Sequence, residues 1–189
     1  LGSTDDAPVT ADKKRGIRNY QWAEDGKSVL YLQDSDGDEN FHVFAVELAS
    51  KNTRDLTPFN GVRASIVDTH PRQSDTVLVA LNLRDRKAFD VHRVSLKTGA
   101  IELDTQNPGD VTSWVTDDKL LVRGAFVSTQ EGGEEVRVRE TAKLPWKSLV
   151  KVGPEESLSF YGFTLDGKGV FLGTSIGTDT QRVVEKNVK

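Results

Sequence analysis

Apolar residues in this chain alternate with polar ones or gather in short β-branched blocks, and no long stretch repeats them at helical spacing. The blocks SVLYL from Ser28, TVLVALNL from Thr76, KLLVR from Lys119 and GVFLG from Gly169 read as buried or half-buried strands. Each of the first two is followed by a second apolar alternation, FHVFAVEL from Phe41 and FDVHRVSL from Phe89. Short segments come next, RDLT from Arg54 and AIELDT from Ala100, the latter after a Lys97-Thr98-Gly99 turn. The pattern therefore predicts an all-β chain of antiparallel strands. One short helical turn is expected at Leu144–Val150, where Pro145 suits a first helical position and Gly153-Pro154 closes the segment.

The strands recur as a unit. YQWAEDGKSVLY from Tyr20 matches YGFTLDGKGVFL from Tyr161, and the two stand 141 residues apart, three times 47. Weaker copies, SIVDTHPRQSDTVLVALNL from Ser65 and SWVTDDKLLVR from Ser113, lie between them. The lead positions Trp22, Val67, Trp114 and Phe163 step by 45, 47 and 49 residues. Counting the strand that carries the lead residue, each repeat holds four strands, and four antiparallel strands in a repeat of this length describe a β-propeller blade. The expected organisation is an N-terminal arm over residues 1–16, then blades over about 17–60, 61–109, 110–156 and 157–189, the last incomplete. Four blades fit either a closed four-bladed ring or an arc cut from a larger propeller; the arc is favoured, and its exposed end strands invite self-association. The Asp25-Gly26 and Asp166-Gly167 pairs are read as two-residue hairpin turns, where glycine accepts positive φ.

Composition narrows the function. The 189 residues, 36% of them hydrophobic and 29% charged, suit an ordered globular domain. A net charge of −4 gives no electrostatic reason to expect nucleic acid or an anionic membrane as partner. The basic run Lys13-Lys14-Arg15-Gly16-Ile17-Arg18 is read as a solvated arm. With no cysteine, the chain has no disulfide, thiolate metal site or cysteine nucleophile, and its redox compartment stays open; a cytoplasmic location is favoured, with export left open. No apolar run approaches the roughly 18 residues of a membrane-spanning helix. The chain lacks methionine even at its first position, so a piece of a longer protein is expected.

Candidate chemistry is sparse. The stretch Asp34-Ser35-Asp36-Gly37-Asp38-Glu39-Asn40 looks like a calcium loop, but counting from Asp34 puts glycine fourth and Ala45 twelfth, against the EF-hand requirement of glycine sixth and glutamate twelfth. It is read as a polar loop joining the second and third strands of the first blade. Gly173-Thr174-Ser175-Ile176-Gly177 spells the G-x-S-x-G elbow of a nucleophilic serine. The segment after it is β-branched rather than helical, and no histidine follows to complete a triad. Ser175 falls 141 residues after Asp34, in the equivalent loop, and is read as a turn residue. His42, His70 and His92 lack metal-ligand spacing, and His42 and His92 fall in the same strand of consecutive blades. The charged stretch Asn82–Asp90 is read as a solvated hairpin with local ion pairs, with a loop facing substrate or another domain as its functional alternative. No catalytic, cofactor-binding or metal-binding residue is assigned, no cofactor is expected, and the residues that bind substrate stay open.

Several separated motifs share one likeness. The run YQWAEDGKSVLYLQDSDGDENFHVFAVEL, then LTPFNGVRA from Leu56, VALNLRDRKAFDVHRVSLKTG from Val79 and the Asn107-Pro108-Gly109 junction resemble the N-terminal propeller of bacterial prolyl oligopeptidase-family serine peptidases, among them acylaminoacyl peptidase and dipeptidyl aminopeptidase-like members. The resemblance runs from about residue 17 to the end. It implies a non-catalytic propeller that caps a C-terminal α/β-hydrolase domain and gates peptide access to it. The family's catalytic residues have no matching positions here, and no motif gives Asp36 or Glu39 the substrate-holding role that propeller carboxylates play in some members. From a different class, a stand-alone propeller-type module that binds a protein partner is the alternative.

Overall fold

A computed structural model describes residues 6–189. Fifteen strands form four antiparallel sheets, each in sequential order. The first holds β1 (Asn19–Trp22), β2 (Ser28–Gln33), β3 (His42–Glu47) and β4 (Thr53–Asp55). The second holds β5 (Ala64–Thr69), β6 (Thr76–Asp85), β7 (Ala88–Ser95) and β8 (Ile101–Thr105). The third holds β9 (Val111–Thr116), β10 (Val122–Ser128), β11 (Glu134–Val138) and β12 (Lys147–Val152). The fourth has three strands among the described residues, β13 (Leu158–Phe163), β14 (Gly169–Thr174) and β15 (Arg182–Asn187). These are the blades of a β-propeller, as the repeat predicts. No helix among the described residues is long and apolar enough to cross a membrane.

The chain divides into two compact units. One comprises the residues up to Leu83 with His92–Glu102, the other Arg84–Val91 with Leu103–Lys189. Alternation along the strands builds each core. In the first unit, Leu30 pairs with Ala45 and Leu32 with Val43, and this face packs with Val77, Val79, Leu81 and Val94 of the second sheet. In the second unit, Val136, Val138 and Val152 of the third sheet pack with Leu158, Val170 and Leu172 of the fourth. A smaller cluster joins Val111, Ala125 and Val127 to Trp114 and Trp146.

Two expectations are corrected. Leu144–Val150 forms no helical turn, because Lys147–Val152 is strand β12 and pairs with β11; the proline merely precedes a strand, and the one short helical turn is a 3-10 turn at Pro71–Gln73. The Asp-Gly pairs do not form two-residue turns. Between β1 and β2 only Gly26 takes positive φ, at 65°, while Asp25 Oδ1 accepts from the backbone N–H groups of Lys27 and Ser28 at 2.8 and 2.9 Å. The loop is longer and aspartate works as a side-chain acceptor, an Asx-type use of the residue. The basic arm is exposed at Lys13, Lys14, Arg15 and Arg18, as expected, and Arg15 and Arg18 also find partners, as described below. Residues 1–5 of that arm lie outside the described residues.

Candidate functional site

In an antiparallel four-stranded sheet, the hairpin from second to third strand lies at the end from which the chain departs for the next sheet. Each unit gathers its charged loops there. In the first unit, Arg15 closes a bidentate pair on Asp34, Nε to Oδ1 at 3.1 Å and Nη2 to Oδ2 at 2.9 Å, with the Asp34 side chain 2% exposed. Gln33 Nε2 donates to the Arg15 carbonyl at 3.0 Å, and the Glu39 N–H donates to Asp34 Oδ2 at 3.3 Å. Arg18 and Arg63 place their guanidinium groups 4.8 and 5.8 Å from the centre of the Phe41 ring. Asp38 accepts from the side chain and the backbone N–H of Asn40, which together hold its carboxyl below the usual range.

The acids that suggested a calcium loop are thus drawn into other bonds. Asp34 neutralises an arginine and Asp38 closes a turn. Among the described residues no group of three or more His, Cys, Asp or Glu side chains could hold a metal ion. Asp36 and Glu39 take φ of 53° and 59° in this loop, a conformation uncommon outside glycine.

In the second unit, the hairpin between β6 and β7 is tied to the blade junction. Arg84 donates to both oxygens of Asp90, at 2.8 and 2.9 Å, and to the Asn107 carbonyl at 3.1 Å. The Asn107 N–H donates to Asp90 Oδ1 at 2.7 Å, and its side-chain oxygen accepts from the N–H groups of Gly109 and Val111. Asp90 is 1% exposed. The charged stretch is therefore a hairpin exposed over residues 83–87, and at its base the half-exposed Arg84 joins the buried Asp90 and Asn107 in a polar network that fixes the Asn-Pro-Gly junction.

The isolated candidates fall into structural roles. Ser175 lies in the loop between β14 and β15, its Oγ accepts from the Ser157 N–H at 2.8 Å, and strand β15 rather than a helix follows. His42 holds its Nδ1 2.7 Å from Asp55 Oδ2 across the third and fourth strands. His70 accepts from the Arg72 N–H at 3.2 Å and caps the 3-10 turn, while His92 is buried within β7.

Two buried arginines escaped sequence reasoning. Arg123 donates to the Arg139 carbonyl, Asp117 Oδ2 and the Gly167 carbonyl at 3.1, 3.1 and 3.0 Å, and lies 4.8 Å from the Phe163 ring centre. Arg139 donates to the Val122 carbonyl at 2.8 Å and to Thr105 Oγ1 at 2.7 Å, 4.4 Å from the Trp146 ring centre. Burial holds the Arg139 guanidinium below its ordinary range, with Asp104 opposing. In sequence neither arginine stands near its partners: Arg123 reaches the Arg139 and Gly167 carbonyls 16 and 44 residues away, and Arg139 reaches Thr105 across 34.

A separate groove of about 550 Å³ lies at the opposite end of the first unit, between the turns that carry Asp25, Glu47, Asp75 and Lys97. Its acids are also engaged: Asp75 accepts from Ser95 Oγ and the Lys97 N–H, and Glu47 from Ser50. Neither end of the sheets brings a nucleophile, a base and an orienting acid together among the described residues. Both present charged loops whose acids are largely paired with neighbouring donors.

Repeat, strand order and sheet count make the chain a segment of a β-propeller. No family model matches it. It is homologous to dipeptidyl aminopeptidase BIII of Pseudoxanthomonas mexicana, with 35% identity over 174 residues that cover 91% of this chain and 25% of that protein. The likeness to prolyl oligopeptidase propellers drawn from the motifs is met again in prolyl oligopeptidase B from Galerina marginata, whose solved structure matches with a TM-score of 0.67 at 16% identity, over 97% of this chain and 26% of that one. TolB from Acinetobacter baumannii also shares the fold, with a TM-score of 0.56 at 11% identity, over 93% of this chain and 46% of that one. The chain spans about a quarter of the length of the curated relatives it matches.

Proposed function

We propose that this chain is the non-catalytic propeller of a serine peptidase, and that it caps and gates an α/β-hydrolase domain carried elsewhere in the same protein. The observation that carries this reading is the 35% identity to a dipeptidyl aminopeptidase along nearly the whole chain. The fold alone does not select it, because propellers serve many functions. The site chemistry supports it: hydroxyl, imidazole and carboxylate groups that could have formed a reaction centre are bound into turns, caps and ion pairs.

Gating of this kind works by exclusion. Within each unit the charged loops are tied down at their bases, by Asp34 in the first and by Asp90 in the second, which supports a role in exclusion. Extended short peptides pass and compact domains do not. The test is hydrolysis by the intact native protein of one cleavable sequence, offered as a short peptide and within a folded domain. The account expects rapid cleavage of the peptide and none of the folded form. Equal cleavage of both refutes the gating role, and absence of any peptidase activity refutes the assignment to a peptidase.

A further inference from the structure

Asn60-Gly61 is the one Asn-Gly pair in the chain; each of the other six asparagines precedes a residue with a side chain, and Pro108 after Asn107 has no N–H. The pair stands at the tip of the turn Phe59–Val62, on the link from β4 to β5. The Val62 N–H donates to the Phe59 carbonyl at 3.1 Å, and Gly61 takes a φ of 66°, the conformation that calls for glycine at the third position of such a turn. Both residues are exposed, and the Asn60 amide makes no hydrogen bond among the described residues.

The ends of the link are held as firmly as its tip is open. Leu56 and Val62 are 1% and 3% exposed, both within the core of the first unit. Thr57 Oγ1 accepts from the Val43 N–H at 3.0 Å, and the Arg63 N–H donates to Asn82 Oδ1 at 2.7 Å. The Asp25-Gly26 and Asp166-Gly167 turns are built differently. Asp25 Oδ1 accepts from the Lys27 and Ser28 N–H groups and Asp166 Oδ1 from the Lys168 N–H, bonds that favour the ionised carboxylate, and a carboxylate resists attack by a nitrogen nucleophile. Asn60 instead offers a neutral amide carbon with ammonia as its leaving group, next to a backbone nitrogen that no β-carbon crowds.

We propose that Asn60 is a site of spontaneous covalent modification, deamidating through a cyclic imide to aspartyl and isoaspartyl forms. The Gly61 nitrogen, its proton given up to hydroxide, attacks Asn60 Cγ. The new N–Cγ bond closes a five-membered ring, the Cγ–Nδ2 bond breaks, and the departing nitrogen takes a proton from water and leaves as ammonia. Water then opens the imide. Cleavage of the N–Cγ bond leaves aspartate; cleavage at the main-chain carbonyl carbon leaves the chain running through Cγ, as isoaspartate. No oxidant or reductant takes part. The isoaspartyl form adds one backbone carbon between Leu56 and Val62, whose side chains are both fixed in the core, so it strains the link between the first two sheets. The inference concerns this chain's own chemistry and stands apart from the proposed function.

The test holds the intact native protein in mildly alkaline buffer and maps its peptides by mass at intervals, with an isoaspartyl methyltransferase and labelled S-adenosylmethionine reporting the isoaspartyl share. The expected result is the one-dalton gain of an amide becoming an acid, found at Asn60 before any other asparagine, with methyl acceptance at the same residue and both faster as pH rises. Asn60→Gln keeps the exposed amide but would have to close a six-membered ring, so it should keep the melting temperature of fresh protein and lose both signals. The melting temperature of the unsubstituted protein should fall as methyl acceptance grows. Asn60 that keeps its mass while a free peptide of the same sequence converts, another asparagine that reacts first, or a gain at Asn60 without methyl acceptance each overturns the proposal.

Discussion

Replacing Arg123 with methionine tests how the second unit is held together. The guanidinium and Asp117 are each only 8% exposed, and Arg123 spans three acceptors: Asp117, the Arg139 carbonyl and the Gly167 carbonyl. Methionine fills part of the volume but satisfies none of them. Asp117 keeps the N–H groups of Lys119 and Leu121 on Oδ1 and loses the donor to Oδ2. Breaking a buried ion pair in this way costs about 3–5 kcal/mol, a large part of the roughly 5–15 kcal/mol that holds a domain folded. With an m-value of about 2 kcal/mol/M in urea, the unfolding midpoint falls by about 2 M. Asp117→Asn keeps Oδ1 for the backbone N–H groups but sets an amide NH2 where Oδ2 accepted from Arg123, so it loses that bond and costs about 1–3 kcal/mol. Urea titration read by the fluorescence of Trp114 and Trp146, which lie in the same unit, measures both. A midpoint shift below about 0.3 M for Arg123→Met, at unchanged m, refutes the claim that this pair is shielded from water and that Arg123 ties the third sheet to Gly167 of the fourth.

Three further outcomes follow from the same geometry. Gly124 lies under the Phe160 ring, and a methyl group there would also meet Val115 Cβ at 2.9 Å, so Gly124→Ala should destabilise by about 1–3 kcal/mol in a thermal melt, whereas no change would mean that β13 is not seated on β10. The hydrogen bond from Arg137 holds the Glu135 carboxyl below its ordinary value of 4.5, despite opposition from burial. A depressed carboxylate contributes stability that is fully present above its unfolded pKa and lost as pH falls through the folded one. Melting temperature should therefore drop as pH is taken down through the range below 4.5, and Glu135→Gln should flatten that drop; an unchanged profile contradicts the pairing. Ser175 should take no fluorophosphonate label, since its Oγ serves the Ser157 N–H in a hairpin loop, and an adduct mapped to that serine would contradict its structural role.

Much of the fold was legible because each blade must bury its own apolar alternation. The pairs Leu30 with Ala45 and Leu32 with Val43 follow from period two alone, and the YQW and YGF copies announce the repeat. Leu144–Val150 misled because Pro145 is as acceptable just before a strand as at the start of a helix, and the pairing of Lys147 with Val138 that decides the matter is non-local. The Asp-Gly turns misled in detail: the glycine sets the backbone, but the longer loop is set by the side-chain bonds of the aspartate. The candidate site was legible chiefly by elimination. The place of Ser175 in a loop between strands followed from its position in the repeat. That Asp34 is spent on Arg15, 19 residues away, and that Asp90 grips Asn107 across 17, could not be read from spacing, because partners brought together by tertiary packing leave no local pattern.

The central claim is that these blades serve a serine hydrolase carried on the same polypeptide. The most direct measurement is to capture the native protein with an antibody raised against this chain and to map fluorophosphonate labelling on it. The account predicts a single labelled serine outside these 189 residues, on a polypeptide several times their length. A captured protein that takes no label, or one labelled within these residues, contradicts it.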